Sequence, residues 1–151
     1  MVDKKKIVQI GIMVKDVRQA AKEWADYLEV EVPEIRITDK YADGSHTMYY
    51  GKPTDGRLVQ AAFNLDNIQL ELVQPYDDDE PSFWRECLEK DGEGIHHFAF
   101  EAQDIEAEIE KCEANNMPLA QKGDFKGGCY SFIDAREKLG IIMEYLEHFN
   151  R

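Results

Sequence analysis

The stretch Gly94-Ile95-His96-His97-Phe98-Ala99-Phe100 decides how this chain is read. It is a short apolar run with two adjacent histidines, and it follows a charged, turn-like segment, Glu89 to Gly94. Strand alternation places Gly94, His96, Phe98 and Phe100 on one face and Ile95, His97 and Ala99 on the other. On this reading only one of the two histidines points into any one cavity, and His96 turns to the helix-covered side as a structural residue. A lone histidine in an apolar strand is most often a hydrogen-bonded core residue. An earlier stretch of the chain gives His97 a different weight.

That earlier stretch is Val8-Gln9-Ile10-Gly11-Ile12-Met13-Val14. Seven residues after Gln9 stands Asp16, and seven residues after His97 stands Asp104. Each aspartate opens an amphipathic run and has the chemistry of a helix N-cap. Two later strands also match, Ile68 to Val73 and Ile141 to Leu146, each with a glutamate, Glu71 or Glu144, as its fourth residue. The chain therefore reads as a repeat. Module one covers 5–75, a connector 76–92 and module two 93–148, all within a single domain, 1–151. Four polar positions correspond: Gln9, Glu71, His97 and Glu144.

Further elements follow from pattern. Helices are expected over Asp16 to Tyr27, Ser82 to Lys90 and Asp104 to Asn115. The first would lay Val17, Ala20, Ala21, Trp24 and Leu28 on the Val8/Ile10/Ile12 face of strand one, leaving Gln9, Gly11 and Met13 on the other. Strands are expected over Val32 to Asp39, His46 to Tyr50, Leu58 to Leu65, Met117 to Gln121 and Cys129 to Asp134. Lys122 to Gly128 reads as a flexible loop and Ala135 to Gly140 as a turn. The surplus length of module one falls within Asp39 to Thr54. Small residues beside the polar ones, Gly11 beside Gln9 and Ala99 beside His97, leave space over that face, as in the wall of a cup.

Composition narrows the function. The 151 residues carry a formal charge of −13, with 43% hydrophobic and 11% aromatic residues. This suits one folded core and excludes a nucleic-acid partner, which needs a basic surface. It also weighs against an anionic membrane surface. No apolar run reaches the ~20 residues of a membrane span. No apolar segment follows the basic start, so no secretory signal is expected. Cys87, Cys112 and Cys129 lack C-x-x-C spacing and read as reduced thiols of a cytoplasmic protein.

Gln, Glu, His and Glu are all donors for a divalent metal. Together they make an oxygen-rich site suited to Zn²⁺, Ni²⁺, Co²⁺, Mn²⁺ or Fe²⁺ with open positions for water or substrate. The two carboxylates balance the ion's charge; without it they would repel, and one would hold a proton. Each residue singly could instead be a polar side chain on a solvated sheet face. Four in matched positions favour the metal. His46, Tyr49 and Tyr50 fall in the insertion and could reach substrate at the cup mouth, though ordinary strand or turn roles are commoner. His148 is expected to be exposed. Lys122, Lys126, Arg136 and Lys138 fall in module-two loops and could hold an anionic group.

With these residues in place, the sequence resembles the vicinal oxygen chelate (glyoxalase/bleomycin resistance) superfamily over about Ile7 to His148. The resemblance is greatest to the methylmalonyl-CoA epimerases, in Glu93-Gly-Ile-His-His-Phe-Ala-Phe-Glu101, Asp104-Ile-Glu-Ala107, Gly140-Ile-Ile-Met-Glu-Tyr145 and Leu70-Glu-Leu-Val-Gln-Pro75. It implies an α+β fold, two βαβββ modules closing an eight-stranded, cup-shaped incomplete barrel, and a homodimer. It also implies a divalent metal (Zn, Ni, Co or Mn) held by Gln9, Glu71, His97 and Glu144, with Glu144 and Glu71 as catalytic carboxylates. The implied chemistry is proton movement next to a carbonyl in a small molecule, such as a CoA thioester. The chain departs from the epimerases in having Gln9 where they have histidine, Glu71 where glutamine is usual, and an amide, Gln60, near the place of their second acid/base. Its set of Gln, Glu, His and Glu is instead similar to one form of glyoxalase I, which implies a lactoylglutathione-type lyase. A non-catalytic small-molecule binder of the same fold is the third possibility.

Overall fold

The computed structural model describes residues 5–149. Ten strands and four helices follow one another as β1 (Gln9–Met13), α1 (Val17–Leu28), β2 (Arg36–Ile37), β3 (Met48–Tyr49), β4 (Lys52–Pro53), β5 (Leu58–Asn64), β6 (Gln69–Pro75), α2 (Phe83–Asp91), β7 (Gly94–Glu101), α3 (Ile105–Ala114), β8 (Leu119–Phe125), β9 (Gly128–Ala135), α4 (Arg136–Leu139) and β10 (Ile141–His148). A short 3-10 turn, Tyr41–Asp43, lies between β2 and β3. The strands form one curled, mixed sheet in the order β2-β5-β6-β1-β7-β10-β9-β8-β3-β4. This is the vicinal oxygen chelate type of α+β fold. Among the described residues no helix is long and apolar enough to cross a membrane.

The two halves are built alike at their centres. Asp16 accepts from the Gln19 amide at 3.0 Å and Asp104 from the Ala107 amide at 3.2 Å, each with the extended backbone of an N-cap. In β1 and β6, running parallel, Gly11 lies opposite Glu71; in β7 and β10, also parallel, Ala99 lies opposite Glu144. Gln9 and His97 each stand two residues before those small partners, so the polar pairs share one offset. The halves join within one chain, through the antiparallel pairing of β1 with β7.

Alternation divides the sheet into two sides. On the convex side α1 buries Val17, Ala21 and Ala25 against Ile10, Ile12, Ala61, Phe63 and Leu72, while α3 buries Ile105, Ile109 and Cys112 against Ile133, Met143 and Tyr145. On the concave side α2 fills one end of the cup, packing Phe83, Trp84 and Cys87 against Met13, Val73, Phe132 and Ile142. The rest of that side stays open.

Several expectations are corrected. The sheet has ten strands rather than eight, because the insertion adds β3 and β4 at the far edge. They form a two-residue hairpin through Tyr50 and Gly51, both at positive φ (47° and 79°), as a primed turn demands. β3 then pairs with β8 of the other half. The expected strand over Val32 to Asp39 pairs only at Arg36–Ile37, since Pro33 has no amide to donate and the segment lies on an exposed edge. Lys122 to Gly128 is no loop: β8 runs on to Phe125 and turns at Lys126-Gly127 into β9. Its Lys122 and Asp124 disguised a strand that runs between β9 and β3, where they pair with Glu106 and His46, and Gly123 lets Thr47 and Tyr130 approach its backbone. The turn from Ala135 holds a single helical turn, α4.

The largest departure lies in the histidine stretch itself. Gly11 pairs with His97 and Ile12 with Ile95, so the register skips His96. This bulge breaks strict alternation. It turns His96 to the same side as His97, against Phe83 and Phe132 and away from α3.

Candidate functional site

The concave face carries a cavity of about 520 Å³, of ligand-binding size. Its floor is made where β6, β1, β7 and β10 lie side by side, and these strands bring Glu71, Gln9, His97 and Glu144 together. His97 is fully buried, and its Nε2 is the common point. It lies 2.8 Å from Gln9 Oε1, 3.3 Å from Glu144 Oε1 and 3.8 Å from Glu71 Oε1. The Gln9 amide also donates to Glu71 Oε2 at 3.2 Å and to Gln69 Oε1 at 2.6 Å. The His97 ring lies directly over Gly11, where a side chain would overlap it.

The electrostatics follow from burial and crowding. Burial, reinforced by the charge of Glu144, pushes the Glu71 carboxyl up to about 7. Burial works against a charged His97, but the facing carboxylates of Glu144 and Glu71 outweigh it, and the imidazole titrates above its ordinary value. His96 goes the other way: burial first, then the neighbouring His97, hold it well below the usual range. Burial and crowding thus favour protonated forms in this cluster, and a cation would displace those protons.

The donors suit a divalent ion by chemistry: one imidazole, two carboxylates and an amide oxygen. Around an ion with bonds of about 2.1 Å, neighbouring donors stand about 3.0–3.4 Å apart. The separations from His97 Nε2 bracket that range, with Glu71 widest at 3.8 Å. Among the described residues no group of three or more His, Cys, Asp or Glu side chains is placed to hold a metal ion as they stand. The cluster is instead closed upon its own hydrogen bonds, with the Gln9 amide in the middle.

Around this floor, alternation along β5 and β6 lines the cavity with Gln60, Ala62, Asn64 and Gln69, and Trp84, Tyr130 and Phe132 form an aromatic wall. Gln69 was legible in the sequence, two residues before Glu71 on the same face. Trp84 was not, because its place depends on how α2 enters the cup. His148 is exposed as expected, yet it lines the rim and lies 3.1 Å from Glu101. Tyr49 and Tyr50 do not line the cavity; their hydroxyls donate to Glu86 on α2 at 2.6 and 3.4 Å. His46 pairs with Asp124 on the surface at 2.9 Å. Lys122 pairs with Glu106, and Arg136 lies in a second cavity of about 300 Å³, where it is held by Asp91, Asp134 and Glu86. With its carboxylate partners this arginine is not a free anion holder.

The sheet and its floor of paired polar residues are those of a vicinal oxygen chelate protein, and the sequence profile of the glyoxalase/bleomycin resistance protein/dioxygenase superfamily matches residues 8–132. The chain belongs to that superfamily. Among solved structures it is similar to a methylmalonyl-CoA epimerase from Mycobacterium tuberculosis (TM-score 0.65, 20% identity, 96% of this chain and 89% of that one). It is also similar to a hypothetical protein from Bacillus halodurans (0.62, 20%, 97% and 96%). A Streptomyces coelicolor methylmalonyl-CoA epimerase in complex with 2-nitronate-propionyl-CoA gives 0.60 at 19% identity, over 95% of this chain and 94% of that one. At these identities the likeness is one of fold. The uncharacterized protein YqjC of Bacillus subtilis is 29% identical over 90 residues, which span 58% of this chain and 63% of that protein's length.

Proposed function

We propose that this protein is a metal-dependent isomerase that moves a proton next to a carbonyl, in the manner of a methylmalonyl-CoA epimerase. One observation carries the reading: two carboxylates from opposite halves, at equal register, flank one buried imidazole beneath an open cavity. Gln9, Glu71, His97 and Glu144 would hold the ion. When bound, a divalent ion supplies polarisation of the substrate carbonyl and so acidifies the adjacent C–H.

The remaining work falls to the chain. Glu144 takes the α-proton onto a carboxylate oxygen on one side of the substrate. Glu71, from the other half, returns a proton on the opposite side, which inverts the centre. Gln9 fixes both His97 and Glu71 through its amide. Trp84 and Phe132 shield the floor from water on one flank. A second reading, a glyoxalase I-like lyase acting on a hemithioacetal, is favoured by the donor set: carboxylates on both halves and an amide at Gln9. It uses the same proton transfer with a different substrate.

Elemental analysis after mild purification is expected to give about one divalent ion per chain. Addition of the ion to about 100 times its Kd should stabilise the fold by about 2.7 kcal/mol, read as a rise in melting temperature that a chelator reverses. His97→Ala should show neither; a full metal complement in that variant would remove the site. Assays with methylmalonyl-CoA and with methylglyoxal plus a thiol then separate the two readings. Failure of both, with metal bound, would leave a binding protein.

A further inference from the structure

The bulge in β7 leaves a side chain at the site whose role the proton transfer does not use. We infer that His96 is a positioning residue: it accepts a hydrogen bond from His97 Nδ1–H and so holds the His97 ring with its Nε2 toward Gln9, Glu71 and Glu144, where a bound ion would take the Nε2 lone pair. The inference rests on the metal reading above and extends it one layer outward.

The geometry is specific. His96 Nδ1 and His97 Nδ1 stand 2.8 Å apart, a hydrogen-bond length with a single N–H between them. The two rings lie nearly perpendicular, at 88°. Two adjacent residues of a regular strand point to opposite faces and cannot meet in this way. The contact exists because the register skips His96 between Gly11 and Ile12. His96 is itself 4% exposed and held by the rings of Phe83 and Phe132. Its Nε2 is buried and has no protein partner among the described residues. Among the described residues His97 Nδ1 is therefore the one hydrogen-bond partner of its ring.

Proton position follows by elimination. A ligating histidine offers a lone pair from one nitrogen and carries its proton on the other, whose partner sets the ring's tautomer and orientation. Without an ion, Nε2–H donates to Gln9 Oε1, whose own amide hydrogens go to Glu71 and Gln69; with an ion on Nε2, the proton must sit on Nδ1. His96 Nδ1 is then the acceptor, and the proton of His96 lies on its Nε2. Carboxylates and backbone carbonyls commonly fill this supporting role; here the preceding residue of the same strand does so.

The test compares zinc binding by calorimetric titration in wild type, His96→Phe and His96→Asn. Phe keeps a ring between Phe83 and Phe132 but offers no acceptor; Asn offers a carbonyl oxygen near the place of Nδ1. His96→Phe is expected to weaken zinc binding about 10–100-fold, the usual cost of losing such a partner, and His96→Asn to recover most of it. In ¹⁵N-labelled, zinc-loaded wild type, the proton should be found on His97 Nδ1, with a coupling across the hydrogen bond to His96 Nδ1. That measurement stands even if a variant fails to fold. Zinc binding by a folded His96→Phe as tight as wild type, or a proton on His96 Nδ1 in the loaded protein, overturns the inference alone. A wild type that takes up no zinc overturns the metal reading, and this inference with it.

Discussion

Glu144→Gln is expected to slow exchange of a substrate's α-proton by about 10²–10⁴-fold, the usual worth of a general base. The residue is buried at the cavity floor, 6% exposed, with a carboxylate oxygen 3.3 Å from His97 Nε2. Its strand partner across β7 is Ala99, which leaves the carboxylate room above the sheet. Gln preserves shape and an oxygen donor but cannot take a proton at neutral pH. The measurement needs no knowledge of stereochemistry: 2-acyl thioesters and α-chiral ketones are incubated in D₂O and the loss of the α-proton signal is followed. Glu71→Gln on the other half should impair inversion more than exchange, because it removes the group on the opposite side. Undiminished exchange in Glu144→Gln would move the base elsewhere. Tyr49 is then a poor successor, since its hydroxyl is engaged with Glu86, and His46 is tied to Asp124 at the surface; Glu71 is the next carboxylate of the floor.

Gly11→Ala should damage both fold and site. A Cβ on Gly11 would overlap the His97 ring at Cε1, Nδ1 and Nε2. That ring has nowhere to retreat: Phe132 lies against it at 5.2 Å between centroids and His96 at 5.1 Å. Overpacking of this kind costs about 1–3 kcal/mol, seen as a lower melting temperature in the metal-free protein. The displaced imidazole should also lose its bond to Gln9, and cation-dependent stabilisation should fall with it. Ala at Gly51, where nothing lies within 4 Å of a new Cβ but φ is +79°, separates the two causes. That variant carries backbone strain alone and should keep its response to the cation. A Gly11→Ala protein with wild-type melting and wild-type cation response would show that the ring can move aside.

The repeat was legible because its signals are local. Asp16 and Asp104 announce two helices, and the alternation around Gln9, Glu71, His97 and Glu144 gives one face to all four. What joins them in space is register, and the common offset of Gln9 to Gly11/Glu71 and of His97 to Ala99/Glu144 made it readable. His96 was misplaced because a bulge has no signature in an apolar run; alternation assigns it to the wrong side by default. β8 was misread because Lys122, Gly123 and Asp124 have the composition of a loop, whereas in the sheet the strand runs between β9 and β3 and its charges meet Glu106 and His46. The place of Trp84 depends on a tertiary choice, the path of α2 into the cup, that its own segment does not encode.

The seam between β1 and β7 also dates the site in the life of the molecule. Gln9 and His97 lie 88 residues apart, yet they touch across that seam. Each half can form its own parallel pair, β1 with β6 or β7 with β10, and still hold only half a set of donors. The closing of the loop between the halves is a long-range event of the kind that slows folding. An ion that needs both halves has little to grip before that event, so it acts on the finished fold. Stabilisation by an ion at the proposed site would therefore slow the rate at which the native state opens and hardly change the rate at which it forms.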